Sequence, residues 1–396
     1  MDGGYTRLGF TLEEQEAIRA FKQIAQELQL TISEDEIGNV IATFHGMDPS
    51  LPSIAFGSHL DTVTNGGAYD GVVGVLAGLG VIKQLKDFNY KPHRSINVIC
   101  FISEESSRFG VSTIGSKAMA GLLDVERIKR LTDQNQITFQ EAIEQLGFDI
   151  EKIKLMGKKR NQFHSFVEIH IEQGNILKDS NKKIGIVQTI ATPLRYKISF
   201  EGEASHTGTT PMGKRKDTLA TAARFISFIE DLGNTYANKD HFVATVSVAH
   251  VSPNVMNVIP EKTELYLDIR SINEELLEKA EVMINSYCTF LMKKYELNIR
   301  LYQISKELPI HLDNTVTSHL VEATNLANCS YQYMVSGAGH DVMNMAQIWP
   351  SGLIFIPCEG ISHHPDEYTD PNNILNGINV LINYIKLVEK KENSNG

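Results

Sequence analysis

The chain has 396 residues, more than a single hydrophobic core normally serves, so two domains are expected. With 42% hydrophobic and 21% charged residues it has the apolar content for ordinary cores, which speaks against wholesale disorder. The formal net charge is −11, with 37 Lys+Arg against 48 Asp+Glu and no dense basic run, so a nucleic-acid partner is not expected.

The chain begins MDGGYTRLGF, with neither a basic nor an apolar leader segment, and no later stretch is apolar enough to span a bilayer. A soluble, cytoplasmic protein without a membrane partner is the expectation. Residues 12–29 carry apolar positions at helical spacing behind Thr11 as N-cap, and the acids Glu13 and Glu14 on that helix read as a solvated pair. Two apolar runs, SIAFGSHL (53–60) and INVICFIS (96–103), flank a helix-like stretch at about 71–86, the pattern of parallel strands covered on both faces. FVEIHIEQG (166–174) is a further strand with alternating Val167, Ile169 and Ile171, which puts His170 in its exposed phase. Residues 195–303 follow the order β-α-β-β-α-β, a ferredoxin-like α+β domain inserted at 190–304. Helices at 314–327 and 373–390 around the strand SGLIFIP (351–357) resume the α/β pattern, and only the tail KKENSNG reads as frayed. The fold class is therefore α/β: a catalytic domain with a mixed sheet flanked by helices, built from 1–189 and 305–396, interrupted by the insert.

Polar groups recur where the buried strands end. His59 and Asp61 close the first as H-L-D, Asp70 follows in the Gly-rich loop NGGAYDG, and Glu104-Glu105 close the next. His170 and the pair His363-His364 come after two later strands. Singly, each has a plain structural reading; Asp70, directly before a helix, is an ordinary N-cap candidate. Jointly, acids and imidazoles at the carboxyl ends of successive strands mark a ligand-binding edge. Two divalent ions sharing a carboxylate need such hard and borderline donors, and a second, non-ligating carboxylate then serves as general base. Glu104 and Glu105 can divide those jobs. The cysteines (Cys100, Cys288, Cys329, Cys358) are scattered, which fits a reducing compartment and no Cys-ligated zinc. No G-x-S-x-G elbow supports a serine nucleophile, and NGGAYDGVVG matches neither common phosphate-binding pattern.

The segments GSHLDTV, YDG, EESSRF, HIEQG, GEASHTGTTPM, NVIP, GAGHD and GISHHPDE resemble, in order, those of the hydantoinase/carbamoylase amidohydrolases. These form a branch of the aminoacylase and carboxypeptidase-G metallopeptidase superfamily that includes N-carbamoyl-L-amino acid hydrolases, β-ureidopropionase and allantoate amidohydrolase. The resemblance implies two divalent ions (Zn, Mn, Co or Ni) on His59, Asp70, Glu105, His170 and His363, with Asp70 as bridge. It prefers His363 to His364, which spacing alone does not decide, and it does not say which ion takes His170 and which His363. It implies Glu104 as general base, Asp61 as the acid orienting His59, and the insert as lid and dimerisation domain of a homodimer. His206, Asn257 and Arg270 match substrate positions, with His206 stabilising the oxyanion across the dimer and Arg270 clamping a substrate carboxylate. Gln173 and the backbone N–H groups of Gly337 and Gly339 in GAGHD complete the substrate set. The substrate expected is a small ureido or carbamoyl carboxylate: allantoate first, from GTTPMGKRKDT and GAGHD, then an N-carbamoyl-L-amino acid or β-ureidopropionate, and more remotely a dipeptide. Two departures stand out: Ser106 replaces a usual glycine after the glutamates, and the chain starts close to YTRLGFT, without some N-terminal residues that the family carries.

Overall fold

The helix Leu12–Glu27 opens at Thr11, whose hydroxyl accepts the Glu14 N–H, and it buries Ile18, Phe21 and Ala25. The structure is a computed structural model that describes residues 3–156, 161–237 and 239–393, apart from the side chains of 391–393. Of the tail KKENSNG, which begins at Lys390, the side chains after Lys390 therefore lie outside the described residues. The residues pack as two units, Met1–Gln188 with His311–Met334 and Gly339–Gly396, and Thr189–Ile310 with Val335–Ala338.

Strands β1 (Thr31–Glu34), β2 (Val40–Phe44), β3 (Ser53–His59), β4 (Ile96–Phe101), β5 (Phe163–Ile171) and β6 (Ile184–Ile190) precede the insert. The insert contributes β7 (Thr192–Glu201), β8 (Ser205–His206), β9 (Val243–Ser252), β10 (Val258–Ile259), β11 (Lys262–Ser271) and β12 (Asn298–Lys306). Strands β13 (Ile310–His311), β14 (Tyr331–Ser336) and β15 (Ser351–Ile356) follow it. The large sheet runs β1-β2-β4-β3-β5-β15-β6-β13, with β14 beside β6. Its centre, β4-β3-β5-β15, is parallel, while β2 and β6 join antiparallel, so the sheet is mixed.

Every residue of β3 and β4 is buried, as unbroken apolar runs in a sheet covered on both faces should be. Strand β5 departs from its alternating pattern: from Ser165 to Ile171 nothing is exposed, and His170 keeps only 1% of its surface. The polar phase of this strand faces a packed layer instead of solvent, so alternation misread it. Strand β1 was not visible in the sequence because TISE is almost wholly exposed and owes its extension to pairing with β2.

In the smaller unit, β12-β7-β11-β9 form an antiparallel sheet. Alternate residues Leu194, Tyr196, Ile198 and Phe200 of β7 pack with Leu265, Leu267 and Ile269 of β11 against helices Thr218–Tyr236 and Glu274–Tyr295. Those helices start at Asp217 and Asn273, whose side chains cap them. Each large apolar side chain so buried contributes about 1.5–3 kcal/mol. Among the described residues no helix is long and apolar enough to cross a membrane.

Candidate active site

Four adjacent parallel strands deliver polar groups to one edge. His59 ends β3, Glu104 and Glu105 follow β4, His170 lies one residue from the end of β5, and the segment after β15 presents His363. The carboxyl edge of a parallel sheet is where α/β proteins place ligands, because loops there converge without blocking the strands.

Asp70 reaches these groups from the loop before helix Val72–Asp87. The N-cap of that helix is Gly71, and no side chain caps it, so the N-cap reading of Asp70 does not hold. Gly71 has φ +67°, and a Cβ there would lie 2.4 Å from the His59 ring. Only glycine lets the loop pass so close. Asp70 Oδ1 then lies 3.6 Å from His59 Nε2 and 3.2 Å from His170 Nε2. Its Oδ2 lies 3.5 Å from His363 Nε2, which is itself 3.2 Å from Glu105 Oε1. Gln173 Nε2 and the Ser362 hydroxyl donate to the same Oδ2, at 2.6 and 3.2 Å.

Two donor sets share Asp70: His59, Asp70 and His170 in one, and Asp70, Glu105 and His363 in the other, each with its atoms within 4.8 Å of one another; Glu168, His170 and His340 form a third group of that spacing, without Asp70. The sharing of Asp70 answers what the sequence left open, since His170 sits with His59 and His363 with Glu105. Oxygen and imidazole donors around one shared carboxylate suit two borderline divalent ions. The distal ring nitrogens are fixed as metal-binding histidines require. His59 Nδ1 lies 3.1 Å from the Asp61 carbonyl oxygen and 3.3 Å from Asp61 Oδ1, and His170 Nδ1 lies 2.9 Å from the Ile171 carbonyl oxygen.

Glu104 belongs to neither set, with Oε2 3.8 Å from His59 Nε2. Asp61, fully buried, accepts the Glu104 N–H on one oxygen and the Glu105 N–H on the other, both at 2.9 Å. One carboxylate thus fixes the His59 ring and the turn carrying both glutamates. Burial, reinforced by Glu105, Asp341 and Asp61, pushes the Glu104 carboxyl well above its ordinary range. Burial also opposes ionisation of Asp70, but His170, His363 and His59 outweigh it and hold that carboxyl well below its range. Asp70 and Glu105 raise His363 to about 10. His59 is raised too, its burial outweighed by Asp61, Asp70 and Glu104. An ionised carboxylate ringed by basic imidazoles is the electrostatic pattern of a cation-binding centre.

The peptidase family M20/M25/M40 matches residues 55–387 of the chain. The chain belongs to this family. Curated relatives place it in the amidohydrolase branch. The ureidoglycolate hydrolase of Arabidopsis thaliana is 36% identical over 95% of this chain and 80% of its own. The N-carbamoyl-L-amino-acid amidohydrolase of Pseudomonas sp. (strain NS671) is 37% identical over 96% and 92%. The allantoate amidohydrolase of Bacillus subtilis is 35% identical over 96% and 92%. A solved amidase of the hydantoinase/carbamoylase family from Burkholderia multivorans superposes with a TM-score of 0.86 at 31% identity, over 97% of this chain and 92% of that one.

The remaining residues singled out in this M20/M25/M40 chain fall in both units. In the smaller, His206 and Asn257 are neighbours: β8 pairs with β10, and the Thr207 N–H donates to the Asn257 carbonyl at 3.1 Å. Arg270 is not a free cation there. Its Nε and Nη2 donate to the two oxygens of Asp268 at 3.0 and 3.1 Å, and Nη1 donates to the Gly337 carbonyl. Arg195 shares Asp268 at 2.8 Å. Gly337 and Gly339 are exposed. The helix after GAGHD spans only Val342–Met345, and the Val342 N–H donates to Glu168 at 2.8 Å. That donor is thus spent inside the protein.

Several site residues escaped sequence reasoning. Glu367 accepts the N–H groups of Tyr69 and Asp70 on one oxygen, at 3.0 and 2.9 Å, and that of His363 on the other, at 3.3 Å. It ties the loop of the shared carboxylate to the loop of the last imidazole; its signal was its place in GISHHPDE. His340 and Asp341 are buried, and the His340 ring meets the His170 ring edge-on at 4.6 Å between centroids. Glu168, likewise buried, accepts from the Ser58 hydroxyl at 2.8 Å. Glu14, read as solvated, is 0% exposed. Ser106 is exposed and is not among the described residues with positive φ, so the position has no need of glycine.

Proposed function

We propose that the protein hydrolyses the C–N bond of a ureido or carbamoyl group on a small carboxylate, using two divalent ions. The observation that carries this is the position of Asp70, with Oδ1 toward His59 and His170 and Oδ2 toward His363. His59, Asp70 and His170 would hold one ion, and Asp70, Glu105 and His363 the other. When bound, such a pair lowers the pKa of water and polarises a substrate carbonyl.

Glu104 is the general base. Its carboxylate takes a proton from water as the oxygen bonds to the carbonyl carbon, then passes that proton to the nitrogen as the C–N bond breaks. Asp61 acts through others, keeping His59 and the Glu104–Glu105 turn in place. Gln173, already bonded to Asp70, is a substrate contact from the larger unit. To the smaller unit we assign the substrate contacts His206 and Asn257, and Arg270 as partner of the substrate carboxylate, which its unoccupied N–H groups can bind. Homodimerisation through this unit is part of the reading. It is supported by β9, ten residues long, which stands at the edge of its sheet among the described residues.

Within the substrate class, the segments GTTPMGKRKDT and GAGHD single out allantoate, with N-carbamoyl-L-amino acids and ureidoglycolate as competitors. The test is ammonia or amino-acid release from these compounds by purified protein loaded with Zn or Mn. Turnover of allantoate above the others supports the full reading. No turnover of any of them, with both ions bound, overturns it.

A further inference from the structure

The segment Tyr5–Glu14 runs along the strand ends that carry the site. Tyr5 pairs with Gly66, and Arg7 accepts the Thr62 N–H at 2.8 Å while its Nε donates to the Leu60 carbonyl at 2.9 Å. Gly9 then comes so near Ser103 that a Cβ on it would lie 2.1 Å from Ser103 Oγ. Arg108, held by Asp133 at 3.1 Å, donates to the carbonyls of Gly9 and Phe10. The segment is therefore fastened at both ends to the loops that follow β3 and β4.

At its close stands Glu14. Three residues after an N-cap threonine, a glutamate ordinarily folds back on the N-cap N–H as a capping box. Here the carboxylate goes elsewhere. Oε1 accepts the N–H of Ser103 at 2.7 Å, and Oε2 accepts that of Phe10 at 2.6 Å. Both recipients are left-handed, Phe10 with φ 57° and Ser103 with φ 53°, a conformation that residues with a Cβ enter at a cost. Two hydrogen bonds from these N–H groups offset that cost. Ser103 directly precedes Glu104 and Glu105, whose own N–H groups are held by Asp61. Two buried carboxylates therefore grip one turn from opposite sides.

We propose that Glu14 is a positioning residue of the active site, setting the Glu104–Glu105 turn through Ser103 and so placing the base and a ligand of the second ion. This rests on the roles proposed above for Glu104 and Glu105. It makes the Tyr5–Glu14 segment part of the catalytic framework.

The test strips the protein of metal, titrates it with Zn, and follows kcat, KM and unfolding of the metal-free form. The variants are Glu14→Gln, Glu14→Asp, Glu14→Gln with Ser103→Gly, and Glu13→Gln as an exposed control. Glutamine keeps the size but sets an NH2 group against one of the two N–H donors. Glu14→Gln should weaken one of the two ions about tenfold or more and lower kcat roughly a hundredfold, with KM changed less than about threefold. Glu14→Asp, which keeps the carboxyl group, should show the same pattern in milder form, and carries the test if the glutamine variant does not fold. Adding Ser103→Gly should restore part of kcat, because glycine takes a positive φ without help. Glu13→Gln should match the wild type. Wild-type affinity for both ions in Glu14→Gln would overturn the proposal. So would parallel weakening of both ions together with a destabilised metal-free fold and no recovery with Ser103→Gly. If the wild type turns over no ureido substrate, the functional reading fails, while the Zn titration still decides the role of Glu14.

Discussion

The two donor sets share a carboxylate but are built differently. His59 and His170 are strand residues, 2% and 1% exposed, with their Nδ1 atoms held by backbone oxygens. His363 stands on a turn with φ 61°, its side chain 45% exposed, and is tied down chiefly by its N–H to Glu367. One set is preorganised by the sheet; the other depends on a loop being held in place. Preorganisation lowers the entropy lost on binding, so the first set should bind an ion more tightly and exchange it more slowly.

The largest effect tests whether Glu104 stands apart from both sets. Glu104→Gln should keep both ions while kcat falls by roughly 10²–10⁴, whereas Glu105→Ala should also lose metal, as measured by metal analysis after gel filtration. Equal metal loss in both would reverse the two roles. Next, His170→Ala should abolish the tighter binding step, and His363→Ala should leave it while weakening the other about 10–100-fold, read by calorimetric titration. If His363→Ala loses both ions together, the two sets are not independent.

The comparison sharpens with pH. Asp70 and Glu105 raise His363 to about 10, and the rings of His59 and His170 are also raised. Ligands must lose their protons to bind metal, so affinity should rise with pH across about 6–9, with proton release seen as a buffer-dependent heat. Affinity independent of pH would mean these rings are not ligands. A smaller effect is expected at Glu367, where glutamine should weaken the His363-side ion several-fold and spare the other.

The smallest effect concerns Asp341, raised to about 8 by burial and then by the charge of Glu168. A carboxyl whose folded pKa is raised stabilises the fold below its unfolded pKa, and that stability is lost as pH rises through the folded value. The metal-free protein should therefore lose Tm progressively as pH rises from about 4 to about 8 and change no further from this group above that, and Asp341→Asn should flatten the loss. An unchanged slope in the variant would assign the loss to another group.

Much of the fold was legible because its signals are local. Apolar runs gave β3, β4 and β15, and helical periodicity gave Leu12–Glu27 and Val72–Asp87. The β-α-β-β-α-β order gave the four-stranded sheet of the smaller unit. Strands β6, β13 and β14 were not legible, since their extension comes from partners far along the chain, and β1 was not because its exposed residues carry no apolar pattern. In the site, the donor types at strand ends could be read, because a carboxyl-end location follows from strand direction alone. Glu367 and Glu14 could not, because each acts on backbone N–H groups of distant segments.

The sequence by itself determined which chemical groups are present and in what order strands and helices deliver them. Only the tertiary structure decided that Asp70 is shared, that His170 joins His59 while His363 joins Glu105, and that His170 is buried. It also turned Glu14 from a local helix cap into a support for the turn of the two glutamates. The reason is physical: a carboxylate accepts several hydrogen bonds, and which donors it takes depends on what the fold brings within reach when water is excluded.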